Sequence, residues 1–438
     1  MKIHFIGIGG IGMSALAQYY LSKGHEISGS DLTMTEITDF LRERGIVFFV
    51  PENPDLVIYS PAVKKSNPEL KKFLDAGIKC QSYPEALGKI TKDYYTIAVA
   101  GAHGKSTTTA MIGILMQKAG LDPTVIVGTK VKEFGNNNFR FGKSKFLVIE
   151  ACEYDSSFLN YYPEIIVVTN IDKEHLDYFK TFANVKKAFR DFILKLPETG
   201  FLVFNKDDEK NSKFKIQSSK ILFKIKNYSL SQKEAKKIQN ILKIPGQHNV
   251  SNALAVLQVA RILGVPDKIS FKSLSEFKGT WRRFEEKSEI IEEKKITVIS
   301  DYAHHPNEIK ATLQSAREKY PNKTIWCVFQ PHQYQRTFYL FDDFVKIFRL
   351  APVNKIIITD IYDVAGRETK DIKNEVDSKK LVEKINRKNV RYISIACPSE
   401  ASGEGGCDIE KLVKENVKAG DVLIIMGAGD IYKLADKF

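Results

Sequence analysis

The residues best suited to chemistry lie in "IAVAGAHGKSTTT", 97–109, where a β-like apolar run meets a helix-like one. Between them stand Gly101, His103, Gly104, Lys105, Ser106 and Thr107. Glycines let backbone N–H groups turn toward an anion, and the helix N-terminus adds its positive dipole end. Lys105 then reaches the outer phosphates of a nucleotide, and the Ser106 hydroxyl ligates Mg²⁺. The usual phosphate loop reads G-x-x-x-x-G-K-[ST]. Here only Ala102 and His103 separate the glycines, which shortens the loop and leaves its chemistry intact. Such a loop needs a metal-binding carboxylate at the end of a neighbouring apolar strand. "KFLVIEACEYD" offers Glu150, with Glu153 competing one helical step on; Glu150 ends the strand directly and is favoured. "EIIVVTNIDKEHLD" ends close to His175, a candidate ligand for a second Mg²⁺. Two ions bridging attacking and leaving oxygens suit phosphoryl transfer.

A second glycine cluster opens the chain. "GIGGIG" places Gly7, Gly9 and Gly12 in G-x-G-x-x-G spacing, with Gly10 in the same turn, and Asp31 closes the next strand. That pattern sets backbone against a pyrophosphate and an acid on a ribose hydroxyl. It points to a diphosphate-linked nucleoside and only weakly to a nicotinamide cofactor. An enzyme that uses one nucleotide as fuel and another as the handle of its substrate explains two sites in one chain.

The elements around these motifs alternate short β-branched or aromatic runs with longer amphipathic stretches, the pattern of α/β layers with mostly parallel sheets. Three blocks follow: 1–93, 94–278 and 279–438. The expected fold is three consecutive α/β domains, Rossmann-like, phosphate-loop ATPase-like and Rossmann-like. The polar tract "CPSEASGEGGCD" reads as an exposed loop. Apolar residues make up 43% of the 438 and charged residues 27%, an ordinary globular composition. No apolar run approaches the ~18 residues of a membrane span. The N-terminus runs straight into a strand and a Gly-rich turn without a secretory h-region, which predicts a cytoplasmic protein. Cys80, Cys152, Cys327, Cys397 and Cys407 form no C-x-x-C pair and read as buried or incidental thiols. The net charge of +13 fits nucleic acid, an anionic membrane or polyphosphate small molecules. Its spread through helical segments such as "KEAKKIQNILK" favours a solvated basic face.

Taken in order, "GAHGKSTTT", "EACEYDSSFL", "TNIDKEHLDYF", "PGQHNVSNALA", "GTWRRFE", "DYAHHPNEI", "FQPHQYQRT" and "MGAGDI" resemble the Mur ligase family, the ATP-dependent amide-forming enzymes of peptidoglycan synthesis. The resemblance covers essentially the whole chain and is strongest to the first amino-acid-adding member. It implies that Lys105 binds the β- and γ-phosphates, that Ser106 and Glu150 hold one Mg²⁺, and that His175 holds another, with Mn²⁺ as an alternative ion. It places His248, Asn249 and Asn252 on the adenine side, Arg283 on the γ-phosphate and Asp301 on the ATP ribose. Tyr302, His304, His305, His332 and Arg336 fall where the family builds its amino-acid and intermediate site. Two departures matter. Cys152 stands where many members carry Asp, and Gln333 where some carry a second arginine, which leaves Arg336 as the clamp on the amino-acid carboxylate. Several members carry a carbamylated lysine; Lys186 and Lys187 read equally well as surface residues.

The implied activity joins L-alanine to the lactyl carboxylate of UDP-N-acetylmuramic acid through an acyl phosphate. ATP is the cosubstrate and closure of the third block excludes water. His304 and His305 are candidate bases for the amine. The implied partners are these small molecules, without nucleic acid or membrane, and the chain is a monomer or weak homodimer. The alternative within the family joins UDP-N-acetylmuramate to a whole murein peptide. A nicotinamide oxidoreductase would leave the phosphate loop and Glu150 idle. A basic phosphate-loop protein acting on nucleic acid would show steeply salt-dependent binding.

Overall fold

A computed structural model describes residues 1–208, 222–363, 370–395 and 408–438. Cys397, Cys407 and most of the polar tract around them lie outside the described residues; Cys80, Cys152 and Cys327 are free thiols.

The described residues build three sheets. The first is parallel throughout, in the order β2-β1-β3-β4, from β1 (Lys2–Ile6), β2 (Glu26–Ser30), β3 (Leu56–Tyr59) and β4 (Cys80–Ser82). Its helices are α1 (Ile11–Ser22), α2 (Glu36–Glu43), α3 (Pro68–Asp75) and α4 (Tyr83–Thr91). β1 lies between β2 and β3, so the chain leaves it in opposite directions, and the crevice at such a switch point is where α/β sheets bind ligands. The first glycine turn fills that position.

The second sheet runs β11-β10-β9-β5-β8-β6-β7. Its strands are β5 (Tyr95–Ala100), β6 (Thr124–Val131), β7 (Asn137–Arg140), β8 (Phe146–Glu150), β9 (Ile165–Val168), β10 (Phe201–Asn205) and β11 (Lys224–Tyr228). Only the edge strand β7 is antiparallel. Strands buried on both faces read as unbroken apolar runs, and "IIVV" of β9 is buried at every position. α5 (Lys105–Lys118) follows β5, whose neighbours are β8 and β9, so the phosphate loop also occupies a switch point.

The third sheet runs β12-β13-β17-β14-β15-β16, from β12 (Glu285–Ile291), β13 (Lys294–Asp301), β14 (Ile325–Phe329), β15 (Lys355–Ile358), β16 (Val390–Tyr392) and β17 (Val422–Met426), with only the edge strand β12 antiparallel. Strand alternation splits its core in two. Ile299, Cys327, Phe329, Ile424 and Met426 meet Phe344 and Phe348 on one face. Val298, Val328, Leu423 and Ile425 meet Ile409 and Val413 on the other. Each such side chain contributes about 1.5–3 kcal/mol by leaving water.

The described residues gather into two compact units. One spans 1–174, 181–242 and 250–280 and contains the first two sheets; the other spans 175–180, 243–249 and 281–438 and contains the third. Inside the first unit, α1 is fastened to β7 by a buried carboxamide network. Asn137 Nδ2 donates to Gln18 Oε1 at 2.7 Å, Gln18 Nε2 donates to the Asn137 and Asn138 oxygens at 3.2 Å, and Asn138 Nδ2 donates to Ser14 Oγ at 2.9 Å and to the Ile11 carbonyl. Buried amides satisfied in this reciprocal way specify one arrangement, because any slip leaves polar groups unpaired. Among the described residues no helix is long and apolar enough to cross a membrane.

Candidate active site

The phosphate loop owes its shape to glycine. Gly101 (φ 139°) and Gly104 (φ 83°) lie in the region that favours residues without a Cβ. A Cβ at Gly104 would stand 2.5 Å from Asn252 Oδ1, and one at Gly101 would run into Thr169 Oγ1. The loop backbone is held from β9's end: the His103 N–H donates to Asn170 Oδ1 at 3.0 Å, and the His103 carbonyl accepts from Thr169 Oγ1 at 2.6 Å and Asn170 Nδ2 at 2.9 Å. The His103 ring faces Asp172 at 3.5 Å. Thr107 is buried in the first turn of α5.

Glu150, at the end of β8, accepts from Ser106 Oγ at 2.8 Å and from the Gly128 N–H at 2.9 Å. Lys105 Nζ donates to the carbonyls of Gly101 at 2.5 Å and Ala102 at 3.1 Å and pairs with Glu153 at 3.1 Å. Glu153 is 1% exposed. Burial pulls the Lys105 ammonium down, but Glu153, Cys152 and Glu150 outweigh it and hold the amine charged well above the usual lysine range. The two acids thereby divide their work: Glu150 meets the hydroxyl, Glu153 meets the ammonium. A hydroxyl beside a carboxylate is a hard-oxygen donor pair of the kind Mg²⁺ selects, so these residues fit the ion. Burial pushes the Cys152 thiol up to about 12, which keeps it protonated and without ligand character.

The first glycine turn is held mainly by backbone hydrogen bonds and by one acid, Asp31. Gly7 (φ 78°) and Ile8 donate their N–H groups to the Ser30 carbonyl at 2.8 and 3.1 Å. The Gly9 N–H donates to Asp31 Oδ2 at 2.7 Å, and Gly10 is the N-cap of α1. Asp31 thus grips the turn itself. Ser30 Oγ donates to Glu69 at 2.7 Å, and Glu69 also accepts from His4 Nε2 at 2.6 Å. The Tyr83 ring lies against Gly12: a Cβ there would be 3.0 Å from Cζ.

In the second unit, the carboxyl ends of β13, β17 and β14 converge. Asp301 is buried; Oδ2 accepts from the Phe284 N–H at 2.7 Å, and Oδ1 from the Ala303 N–H at 2.8 Å and Thr312 Oγ1 at 3.2 Å. Burial raises its carboxyl above the usual range. Arg283 spreads over the Tyr302 ring at 4.9 Å and lies 3.7 Å from Glu308. Its neighbour Arg282 is buried, donating to the Gly427 carbonyl and, at 3.1 Å, to that of Gly429. Tyr302, His304, His332 and Tyr362 form a ladder of rings with centroids 5.4, 5.9 and 5.5 Å apart. Arg336 Nη1 sits 3.2 Å from His332 Nδ1. His304 Nδ1 is 3.0 Å from the Tyr302 carbonyl and 3.4 Å from Glu308 Oε2, both of which accept, so Nδ1 carries a proton. His305 differs: it caps the helix Pro306–Lys319, its Nδ1 accepting from the Asn307 N–H at 3.3 Å.

Of the residues expected to cooperate, the first unit holds both glycine turns, Asp31, Ser106, Glu150 and Asn252. His175 belongs to the second unit, where it caps the short helix Leu176–Phe179 with φ 55°. His248 and Asn249 also fall there; Asn249 Nδ2 donates to the Pro245 carbonyl at 2.6 Å. Thr169 and Asn170, which hold the loop, were present in the "TNID" string but carry no charge to mark them. Tyr83 and Tyr362 gave no signal, since an aromatic at helical or strand spacing reads as core.

Two glycine turns at switch points of parallel sheets, one furnished with lysine, serine and carboxylate, mark an α/β protein of the nucleotide-binding class. The chain belongs to the Mur ligase family: residues 2–95 match the profile described as the Mur ligase family catalytic domain, 99–260 the Mur ligase middle domain, and 282–429 the Mur ligase glutamate ligase domain. It is 42% identical to the UDP-N-acetylmuramate–L-alanine ligase of Alkaliphilus metalliredigens, covering 99% of this chain and 96% of that one. It is 41% identical to the same-named ligase of Acetivibrio thermocellus, covering 100% and 95%. Among solved structures, a UDP-N-acetylmuramate-alanine ligase from Thermotoga maritima superposes with TM-score 0.78 at 28% identity, covering 100% and 98%. A murein peptide ligase from Psychrobacter arcticus shares the fold, with TM-score 0.72 at 23% identity over 100% and 98%.

Proposed function

We propose that the protein joins L-alanine to the lactyl carboxylate of UDP-N-acetylmuramate at the expense of ATP. Residues 1–93 seat the UDP-sugar, 94–278 the ATP, and 279–438 the amino acid and part of the ATP. The observation that carries this reading is the Lys105–Ser106–Glu150 cluster, in one compact unit with a second glycine turn that Asp31 fastens. Full-length likeness to ligases with that name supports the choice of substrates.

The lactyl carboxylate attacks the γ-phosphorus, ADP departs, and an acyl phosphate remains. The alanine amine attacks the acyl carbon, and the tetrahedral intermediate collapses by expelling phosphate. Loop N–H groups and Lys105 take up charge spreading over the phosphoryl oxygens, with Arg283 serving the γ-phosphate. Ser106 and Glu150 would hold one Mg²⁺ and His175 a second, or Mn²⁺ in their place, supplying Lewis-acid charge to the phosphates. Arg336, steadied by His332, clamps the alanine carboxylate. His304 and His305 are the candidate bases for the ammonium proton, His304 standing in the ring ladder and His305 at the start of the helix Pro306–Lys319.

The test is an omission series. Purified protein is expected to release ADP and phosphate only with ATP, Mg²⁺, UDP-N-acetylmuramate and L-alanine all present. Equal turnover without the UDP-sugar, or turnover with a murein tripeptide and none with alanine, would sink the assignment.

A further inference from the structure

We propose that Tyr83 is a substrate-orienting residue, its hydroxyl donating a hydrogen bond to the hexose of the UDP-sugar as that ligand runs from the glycine turn toward the phosphate loop. The inference rests on the reading that a UDP-sugar occupies the Gly7–Gly12 turn.

Tyr83 is the first residue of α4 and faces the first turn of α1. A Cβ at Gly12 would lie 3.1 Å from Tyr83 Oη, so the phenol oxygen itself stands beside the helix N-terminus that presents its N–H groups to a pyrophosphate. The same helix is fastened to the phosphate-loop block five residues on, where Gly88 backs directly onto the Asn160 carbonyl in the segment after Glu153. α4 therefore links the first glycine turn to the segment that follows Glu150 and Glu153, and Tyr83 occupies its glycine-turn end. A muramyl sugar whose pyrophosphate lies on α1, and whose lactyl carboxylate must reach the γ-phosphate near Ser106, has to pass this ring.

Packing does not account for the hydroxyl. Tyr83 is half-buried, and among the described residues its Oη has no hydrogen-bond partner. Its hydroxyl is not sealed from solvent, so it is open to an incoming ligand, and phenylalanine would fill the same space beside Gly12. Crowding by surrounding protein, helped by the Glu150 charge, keeps the phenol protonated well beyond the usual tyrosine range. At working pH the group is a donor and never a base.

The experiment compares full-length wild type and Tyr83→Phe by calorimetric titration with UDP and with UDP-N-acetylmuramate, and by KM for ATP. The expected result is UDP-N-acetylmuramate affinity about tenfold weaker, as for one lost hydrogen bond, with UDP affinity and ATP KM changed by less than about twofold. Retained UDP binding also reports that the variant is folded. Unchanged UDP-N-acetylmuramate affinity overturns the proposal. So does equal weakening toward both ligands, because the effect would then pass through the turn and not the sugar. Wild type that binds UDP but not the muramyl sugar overturns the underlying reading as well, which separates the two failures.

Discussion

The two glycine turns occupy the same station, a switch point at the end of a parallel strand, yet they are furnished in opposite ways. Around Gly7–Gly12 the donors are backbone, and the one nearby acid, Asp31, is already committed to the Gly9 N–H. Around Gly101–Ser106 an ammonium and a hydroxyl each pair with a carboxylate, Lys105 with Glu153 and Ser106 with Glu150. The first arrangement can hold a polyphosphate without altering it. In the second, Lys105 is tied to Glu153 and to loop carbonyls, and on the proposed reading it changes partners when phosphate arrives. A seat for a handle and a seat for a reaction differ by their side chains, not by their backbone.

The largest break in that contrast is expected from Lys105→Ala. Turnover should fall on the order of 10³-fold, as when one transition-state charge donor is removed, while UDP-N-acetylmuramate binding survives. The substitution also removes the ammonium beside Glu153, 1% exposed, and losing one partner of a buried ion pair costs about 3–5 kcal/mol. Lys105→Ala with Glu153→Gln should therefore recover the melting temperature without recovering turnover. A single variant that melts like wild type would show that the pair does not stabilise the loop.

Gly9→Ala addresses the other seat with a smaller effect. Its Cβ would stand 2.9 Å from Asp31 Oδ2 and 3.2 Å from Thr38, so the acid must let go of the turn. UDP-N-acetylmuramate should bind about tenfold more weakly, the worth of a charge-assisted hydrogen bond, with ATP KM unchanged. A change in ATP KM alone would mean that the two seats are not separate.

The smallest effect lies behind the first turn. Burial alone would raise Glu69, yet hydrogen bonds from His4 and Ser30 outweigh it and hold the carboxyl below its usual 4.5. A carboxyl lowered on folding contributes stability that is full above the unfolded value and drains away as pH falls through the folded one. Urea midpoints of wild type should decline on acidification below about pH 4.5, and Glu69→Gln should flatten that decline by about 1 kcal/mol. Parallel curves for the two proteins would remove Glu69 from this role.

Much of this was legible in the residues because it rests on local chemistry. Gly101, Gly104, Lys105 and Ser106 are contiguous, Glu150 ends an apolar run, and Gly7, Gly9 and Gly12 keep a fixed spacing. His304 and His305 could not be told apart in that way. Only the structure shows that Asn307 donates to His305 while His304 stands in the ring ladder. Asp301 was expected on a ribose, and the structure puts both of its oxygens to use on Phe284, Ala303 and Thr312.

Sequence alone determined the elements and their chemistry: glycine where backbone must turn to an anion, lysine and serine at a helix start, and unbroken apolar runs that can only be buried parallel strands. Those properties depend on neighbours within a few positions. Tertiary structure alone decided that Glu153 and not Glu150 meets Lys105, that Tyr83 covers Gly12, and that Gln18 binds Asn137 and Asn138 across 119 and 120 residues of chain. Each of these joins segments far apart in the chain through uncharged or duplicated side chains, and their partners are fixed only when whole sheets and helices pack and every buried polar group must find one.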